Sequence, residues 1–87
     1  MKKETIAQET REQFNFIKHE LKKGNENTIP YLSGTSNKRT KMYKEVSRYE
    51  SDARIDYELG VINKSEYEFE MKAIRLLERA LANYSVY

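Results

Sequence analysis

The 87-residue sequence has no cysteine and no tryptophan, a single proline and only three glycines. The absence of cysteine excludes disulfide bonds and cysteine-ligated metal sites. No apolar run approaches the roughly 20 residues that a membrane-spanning helix needs, and no signal-peptide core follows the basic start. Hydrophobic residues make up 38% of a short chain, so the core is expected to be thin. The sequence therefore predicts one small, soluble, cytoplasmic domain without a membrane partner.

Neither sign of charge dominates the sequence. Sixteen lysines and arginines stand against 14 acidic residues, which gives a net charge of +2 and an isoelectric point near 8.8. Residues 1–23 and 24–50 each carry +2, whereas residues 51–87 carry −2. A strong nucleic-acid binder usually has a basic stripe and an isoelectric point above about 9. The composition therefore leaves nucleic-acid binding open.

Apolar residues recur at helical spacing in three segments, which predicts an all-α fold, a three-helix bundle. The whole chain, residues 1–87, is expected to form a single helical domain. The predicted elements are a helix over about 3–23, a loop over 24–37, a helix over about 38–59 and a helix over about 64–84.

Local sequence features fix the ends of the second and third helices. Ser36 or Asn37 is expected to be the N-cap of the second helix. Asn63 and Glu66 form a pair that resembles a capping box at the start of the third helix. Only two or three residues connect these helices, which predicts an antiparallel helical hairpin.

Apolar residues cover about 200° of the third helix, whereas an ordinary surface helix needs a stripe of about 100°. One interpretation is that the third helix is central and packs against both other helices. The alternative is that part of its face binds a protein partner or a second copy of the chain. The residues assigned to this partner or self-association face are Tyr67, Phe69, Met71, Leu76, Leu77, Ala80 and Tyr84.

A second candidate surface lies at the start of the second helix, where a hydroxyl-rich loop leads into basic residues. Helix N-termini offer free N–H groups to anions, and basic side chains at this end oppose the helix dipole. Such placement points to phosphate contact. The alternative is that Lys38 and Lys41 pair with Glu45 and other neighbours and stay solvated. The candidates for phosphate or nucleic-acid contact are Lys38, Arg39, Lys41, Lys44 and Arg48.

The sequence contains no arrangement that predicts catalysis. His19 is the only histidine, and Asn15 and Lys23 occupy the positions where helical metal partners would stand. Glu66 and Glu68 lie in the first turns of the third helix, where they complement the dipole. There is no glycine-rich phosphate loop and no Ser/His/Asp arrangement. We therefore expect no catalytic residue, no metal, no cofactor and no enzyme activity.

One segment combines a helix that ends in glycine, an apolar pair, a capping residue, acidic residues and an aromatic. It reads Leu59-Gly60-Val61-Ile62-Asn63-Lys64-Ser65-Glu66-Tyr67 and closes at Leu76-Leu77. Residues 55–77, about a quarter of the chain, thereby resemble the short helical hairpin domain known as SHOCT. Glu70-Met71-Lys72 departs from the basic residues that this family often carries there. The resemblance implies an oligomerisation or docking hairpin.

Together these features predict a non-enzymatic interaction protein that presents helical surfaces to a protein partner and self-associates through the third helix. By analogy, small helical chains rich in lysine and asparagine include regulators and inhibitors of larger proteins, some of them phage-encoded. The alternative function is nucleic-acid binding through the basic start of the second helix.

Overall fold

The computed structural model describes residues 5–87, and the prediction of an all-α three-helix bundle is confirmed. The start assigned to the first helix, at residues 3 and 4, lies outside this range. The elements are α1 (Ile6–Lys22), β1 (Ser33–Gly34), α2 (Ser36–Glu58), α3 (Lys64–Ala82) and β2 (Ser85–Val86).

The start of α2 differs from the prediction. The Thr35 hydroxyl accepts a hydrogen bond from the backbone N–H of Lys38 at 3.1 Å, and Thr35 itself has an extended backbone. Thr35 is therefore the N-cap, and the assignment of this role to Ser36 or Asn37 was wrong. All three residue types cap well, so composition alone does not distinguish them.

The turn between α2 and α3 forms as its sequence predicts. Gly60 has a φ of 76° just after α2, and the backbone N–H of Val61 donates to the Asp56 carbonyl at 2.8 Å. The Asn63 side chain accepts from Glu66 N at 2.8 Å, and the Glu66 carboxylate accepts from Asn63 N at 3.0 Å. This reciprocal pair is a complete capping box.

Arg39 connects the two helices at the open end of this hairpin, away from the turn. Its Nε donates to the Leu81 carbonyl oxygen at 2.9 Å, which satisfies one of the free carbonyls in the last turn of α3. The start of α2 therefore lies beside the end of α3, so these helices are antiparallel.

The core forms where α3 packs against both α1 and α2. Phe14 of α1 and Tyr49 of α2 meet with ring centroids 4.9 Å apart. Thr10 is buried among these apolar groups, but its hydroxyl donates to the Ile6 carbonyl at 2.7 Å. The fully buried large side chains include Phe14, Ile17, Met42, Val46, Ile74, Leu77 and Leu81.

The segment after α1 runs back to the start of α2 and pairs with the segment after α3. Strands β1 and β2 are parallel, with Ser33 opposite Ser85. Ser85 N donates to the Leu32 carbonyl at 2.9 Å, and Tyr87 N donates to the Gly34 carbonyl at 3.1 Å. Strand β1 lies within the segment 24–37 that the sequence predicts as a loop. Because the chain leaves α3 to reach β2, this helix ends at Ala82 instead of Tyr84.

None of the helices within residues 5–87 is long and apolar enough to cross a membrane.

Candidate interaction surfaces

The broad apolar face of α3 is mostly covered by the chain itself. Leu76, Leu77, Ala80 and Tyr84 are buried in the core. These four side chains therefore do not form a free surface, which corrects their assignment to the partner face. The physical reason is that α3 lies between two helices, so each neighbour takes one side of its wide apolar arc.

The remaining residues of that predicted face, Tyr67, Phe69 and Met71, lie at the edge of the core and are partly exposed. Tyr67 stacks on Tyr57 of α2, with ring centroids 4.6 Å apart and planes 14° apart. The Lys22 ammonium lies 6.0 Å from the centre of the Phe69 ring.

Exposed apolar side chains gather instead at the turn of the hairpin. Leu59 is 73% exposed, Val61 68% and Ile55 48%. These three side chains form what we call the hairpin end. Sequence reasoning explained Leu59 and Val61 as parts of a turn and missed their exposure, although two aliphatic residues flanking a glycine turn were visible.

The hairpin end is acidic as well as apolar. Residues 50–70 contain seven acidic and two basic side chains, a net charge of −5 within a chain of +2. The two basic residues already have partners, since Arg54 pairs with Glu50 at 3.3 Å and Lys64 approaches Glu68 at 4.0 Å. The surface around the apolar side chains is therefore negative.

A groove runs between α1 and the hairpin. One part has a volume of about 430 Å³ and is lined by Lys22, Ile62 and Phe69 among others. Lys18 and Glu70 lie in it and form an ion pair at 2.9 Å. The adjoining part has a volume of about 240 Å³.

Arg11 borders the adjoining part of the groove and packs on aromatic side chains. Its guanidinium lies 4.1 Å from the centre of the Tyr49 ring. Burial raises the pKa of the Tyr49 hydroxyl above its ordinary value of 10.0, while the Arg11 charge partly opposes this shift. Aromatic side chains therefore line the groove, together with charged side chains of both signs.

Two of the five basic residues predicted to contact phosphate are bonded to other helices of the bundle. Lys38 Nζ binds the Glu9 carboxylate at 2.8 Å, and this hydrogen bond raises the pKa of Lys38 although partial burial opposes it. Arg39 is held by Leu81, as described, and its guanidinium lies 5.5 Å from the Tyr43 ring centre. The predicted pairing of Lys38 with Glu45 is replaced by its bond to Glu9.

The other three basic residues form an exposed stripe. Lys41, Lys44 and Arg48 are spaced three and four positions apart, which places them on one face of α2. Arg48 makes an exposed pair with Glu45 at 3.2 Å, and such pairs are weak. This stripe is what remains of the predicted phosphate-binding segment.

No group of three or more histidine, cysteine, aspartate or glutamate side chains within residues 5–87 is arranged to hold a metal ion. His19 is exposed on α1.

Neither a family model, nor a curated protein, nor a solved structure matches this chain.

Proposed function

We propose that the chain is a non-enzymatic interaction protein that binds a protein partner through the hairpin end. The observation that carries this proposal is the exposure of Ile55, Leu59 and Val61 on a rigid, fully capped turn. Covering a fully exposed aliphatic side chain contributes about 1.5 to 3 kcal/mol, so a partner that covers these residues gains several kcal/mol. By covering a surface of a larger protein, such a chain would regulate or inhibit it.

The rigidity of the turn supports this proposal. Its backbone is held by the capping box and by the Val61 N to Asp56 carbonyl bond, so little ordering would be needed on binding. The resemblance to the SHOCT hairpin, which implies docking or oligomerisation, points in the same direction.

The test is capture of a partner from native lysate with the tagged full-length chain, with and without nuclease. We expect a protein that is retained after nuclease treatment. The double variant Leu59→Ser, Val61→Ser should lose it while keeping the helical circular dichroism of the parent. A matched control is Tyr31→Ser, since Tyr31 is 78% exposed but lies in the loop near the strands. Equal capture by the hairpin variant and the parent would reject the proposal.

A second candidate function is nucleic-acid binding, which the exposed stripe of Lys41, Lys44 and Arg48 favours. Binding through phosphates makes the logarithm of the affinity fall linearly with the logarithm of salt concentration, at a slope close to the number of phosphates neutralised. Three lysines and arginines would give a slope of about −2 to −3 with duplex DNA. Absence of binding at about 20 mM salt would remove this candidate.

A further inference from the structure

The side of α2 that faces away from the core carries a graded pattern of charge. We call it the outer face of α2, and all of its residues are exposed. From Lys41 to Glu58 they follow one another at steps of three and four, which keeps them on one helix face, and the C-cap Leu59 ends this face. In order along the helix they are Lys41, Lys44, Arg48, Ser51, Ile55, Glu58 and Leu59.

The charges on this face complement the charges on a second copy of the same face in antiparallel orientation. Its first half is basic, and the small Ser51 lies between the halves. Its second half has Glu58, with Asp52 at one side and Arg54, which pairs with Glu50, at the other. Two such faces in antiparallel orientation place the basic half of each against the acidic half of the other. A symmetric pair with a two-fold axis satisfies both halves at once.

We propose that two copies of the chain associate antiparallel along the outer face of α2, with the two-fold axis beside Ser51. The inference goes beyond the proposed function, because it adds a second copy of this chain as a further partner, bound along α2. It replaces α3 by α2 as the self-association helix, since most of the predicted face of α3 is buried in the monomer.

The register follows from the helix repeat. Lys44 precedes Ser51 by seven positions and Glu58 follows it by seven, so each lies about 10 Å from the axis. Lys44 of one copy therefore meets Glu58 of the other, and the dimer contains this contact twice. Within residues 5–87 neither side chain forms a salt bridge, so both charges are available.

The same register covers exposed aliphatic groups. Ile55 of one copy lies within one position of Arg48 of the other, and Leu59 lies within one position of Lys44. The aliphatic stems of arginine and lysine pack on apolar groups while their charged ends stay in water. Association along α2 therefore removes two exposed aliphatic side chains of each copy from water.

The outer face also limits the strength of association. From Lys41 to Leu59 it is about 27 Å long and one helix wide. Stable interfaces bury at least about 1,200 Å² in total, and a single helix face supplies less. We therefore expect a weak dimer, with a dissociation constant in the high micromolar range, that relies on charge and weakens as salt increases.

A nucleic acid fits this face less well than a second copy does. The basic half would attract phosphates, but the acidic second half and the net charge of −5 over residues 50–70 would repel them. Only a partner with both signs of charge in the reversed order matches the whole length of the face.

Sedimentation equilibrium of the full chain tests this proposal. Samples from about 20 µM to 1 mM are compared in about 50 mM and 500 mM salt. We expect reversible dimerisation at low salt and at least about threefold weaker association at high salt. A chain that remains monomeric at about 1 mM in low salt would overturn the proposal.

Charge reversal tests the register. Lys44→Glu and Glu58→Lys each create two like-charge contacts, so each should weaken the dimer about tenfold. The double variant Lys44→Glu, Glu58→Lys restores opposite charges and should regain most of the parent's affinity. Matched controls are Arg75→Glu and Glu12→Lys, which make the same charge changes at exposed positions on α3 and α1. A double variant that dimerises no better than the single variants would refute this register.

Cross-linking gives a readout that does not depend on affinity. The chain has no native cysteine, so Ser51→Cys introduces a single thiol at the proposed axis. A short bis-maleimide should join two Ser51→Cys chains. It should not join two Ser65→Cys chains, whose thiol lies at an exposed position of α3. Equal yields from both variants would count against the proposal. A monomeric chain whose hairpin-end variant loses a captured protein would overturn the dimer alone and leave the proposed function standing.

Discussion

The hydroxyl of Tyr84 lies directly against the backbone of Gly34. A Cβ atom at position 34 would overlap Tyr84 Oη, and the φ of Gly34 is 148°. Within the described residues 5–87 this hydroxyl is buried and has no hydrogen-bond partner. The close approach packs the segment after α3 onto β1, and it depends on the absence of a side chain at Gly34.

Removal of the Tyr84 hydroxyl should stabilise the protein. A buried polar group without a partner costs about 1 to 3 kcal/mol, and phenylalanine keeps the ring that packs in the core. We expect Tyr84→Phe to raise the free energy of unfolding by about 1 kcal/mol in urea denaturation. Tyr57→Phe, at a residue that is 39% exposed, should change the free energy of unfolding by less than about 0.5 kcal/mol. A clear loss of stability in Tyr84→Phe would show that this hydroxyl is bonded in solution.

Substitution of Gly34 should test the same contact between Gly34 and the Tyr84 hydroxyl. Gly34→Ala introduces both a clash and an unfavourable φ, so we expect a loss of about 2 to 3 kcal/mol. Gly24→Ala is a matched control, because Gly24 also has a positive φ of 90° but a Cβ added there would meet no atom within 4 Å. The Gly24→Ala variant should lose only about 1 kcal/mol of its free energy of unfolding. In a double-mutant cycle, Tyr84→Phe should recover about 1 kcal/mol of the Gly34→Ala loss, whereas strict additivity would contradict the contact.

The Lys38–Glu9 ion pair should make stability depend on alkaline pH. The pKa of Lys38 is raised above 10.5 by its bond to Glu9, so the folded state favours the charged amine. This contribution is complete below pH 10.5 and is lost as pH rises through the folded-state pKa. Lys38→Met should cost about 0.5 to 1 kcal/mol near pH 8, and its difference from the parent should shrink towards pH 11.

Denaturation of both proteins across that pH range provides the measurement. Tyr49 also has a raised pKa and also destabilises the fold at high pH, but it is present in both proteins, so its effect cancels in the difference. A difference that stays constant with pH would mean that Lys38 contributes by packing alone.

The capping box should set the stability of the hairpin turn. Asn63→Ala removes the acceptor for the Glu66 backbone N–H and should cost about 1 kcal/mol in urea denaturation. Asn63→Ser keeps a short acceptor and should retain most of the stability. Equal losses in the two variants would indicate that packing in the turn, and not the hydrogen bond, is responsible.

The helices were predictable because each is encoded by local features. Apolar spacing, glycine after α2 and the Asn63–Glu66 pair all operate within a few residues, and the structure confirms them. The strand pair was not predictable, because β1 and β2 contain only two residues each and are distant in sequence. Which of Thr35, Ser36 or Asn37 caps α2 depends on that pairing as well, since the strand fixes where the chain turns into the helix.

The candidate surfaces were less predictable than the fold. The width of the apolar arc on α3 was correct, but only tertiary packing shows that two neighbours cover most of it. For the basic start of α2, the sequence also does not show which side chains are already bonded within the fold. Nothing local indicates that Lys38 reaches Glu9 or that Arg39 reaches Leu81. The exposure of Leu59 and Val61 likewise follows from tertiary packing and not from any local pattern.

The parallel pairing of β1 with β2 also has a kinetic consequence. It joins positions about 50 residues apart and encloses the whole hairpin, whereas the hairpin itself closes through a short turn. We therefore expect the hairpin to form early in folding and the strands to pair last. In the native state the strands, with few bonds of their own, should open without the helices. Amide protons of Ser85 and Tyr87 should then exchange with solvent long before those of Leu77.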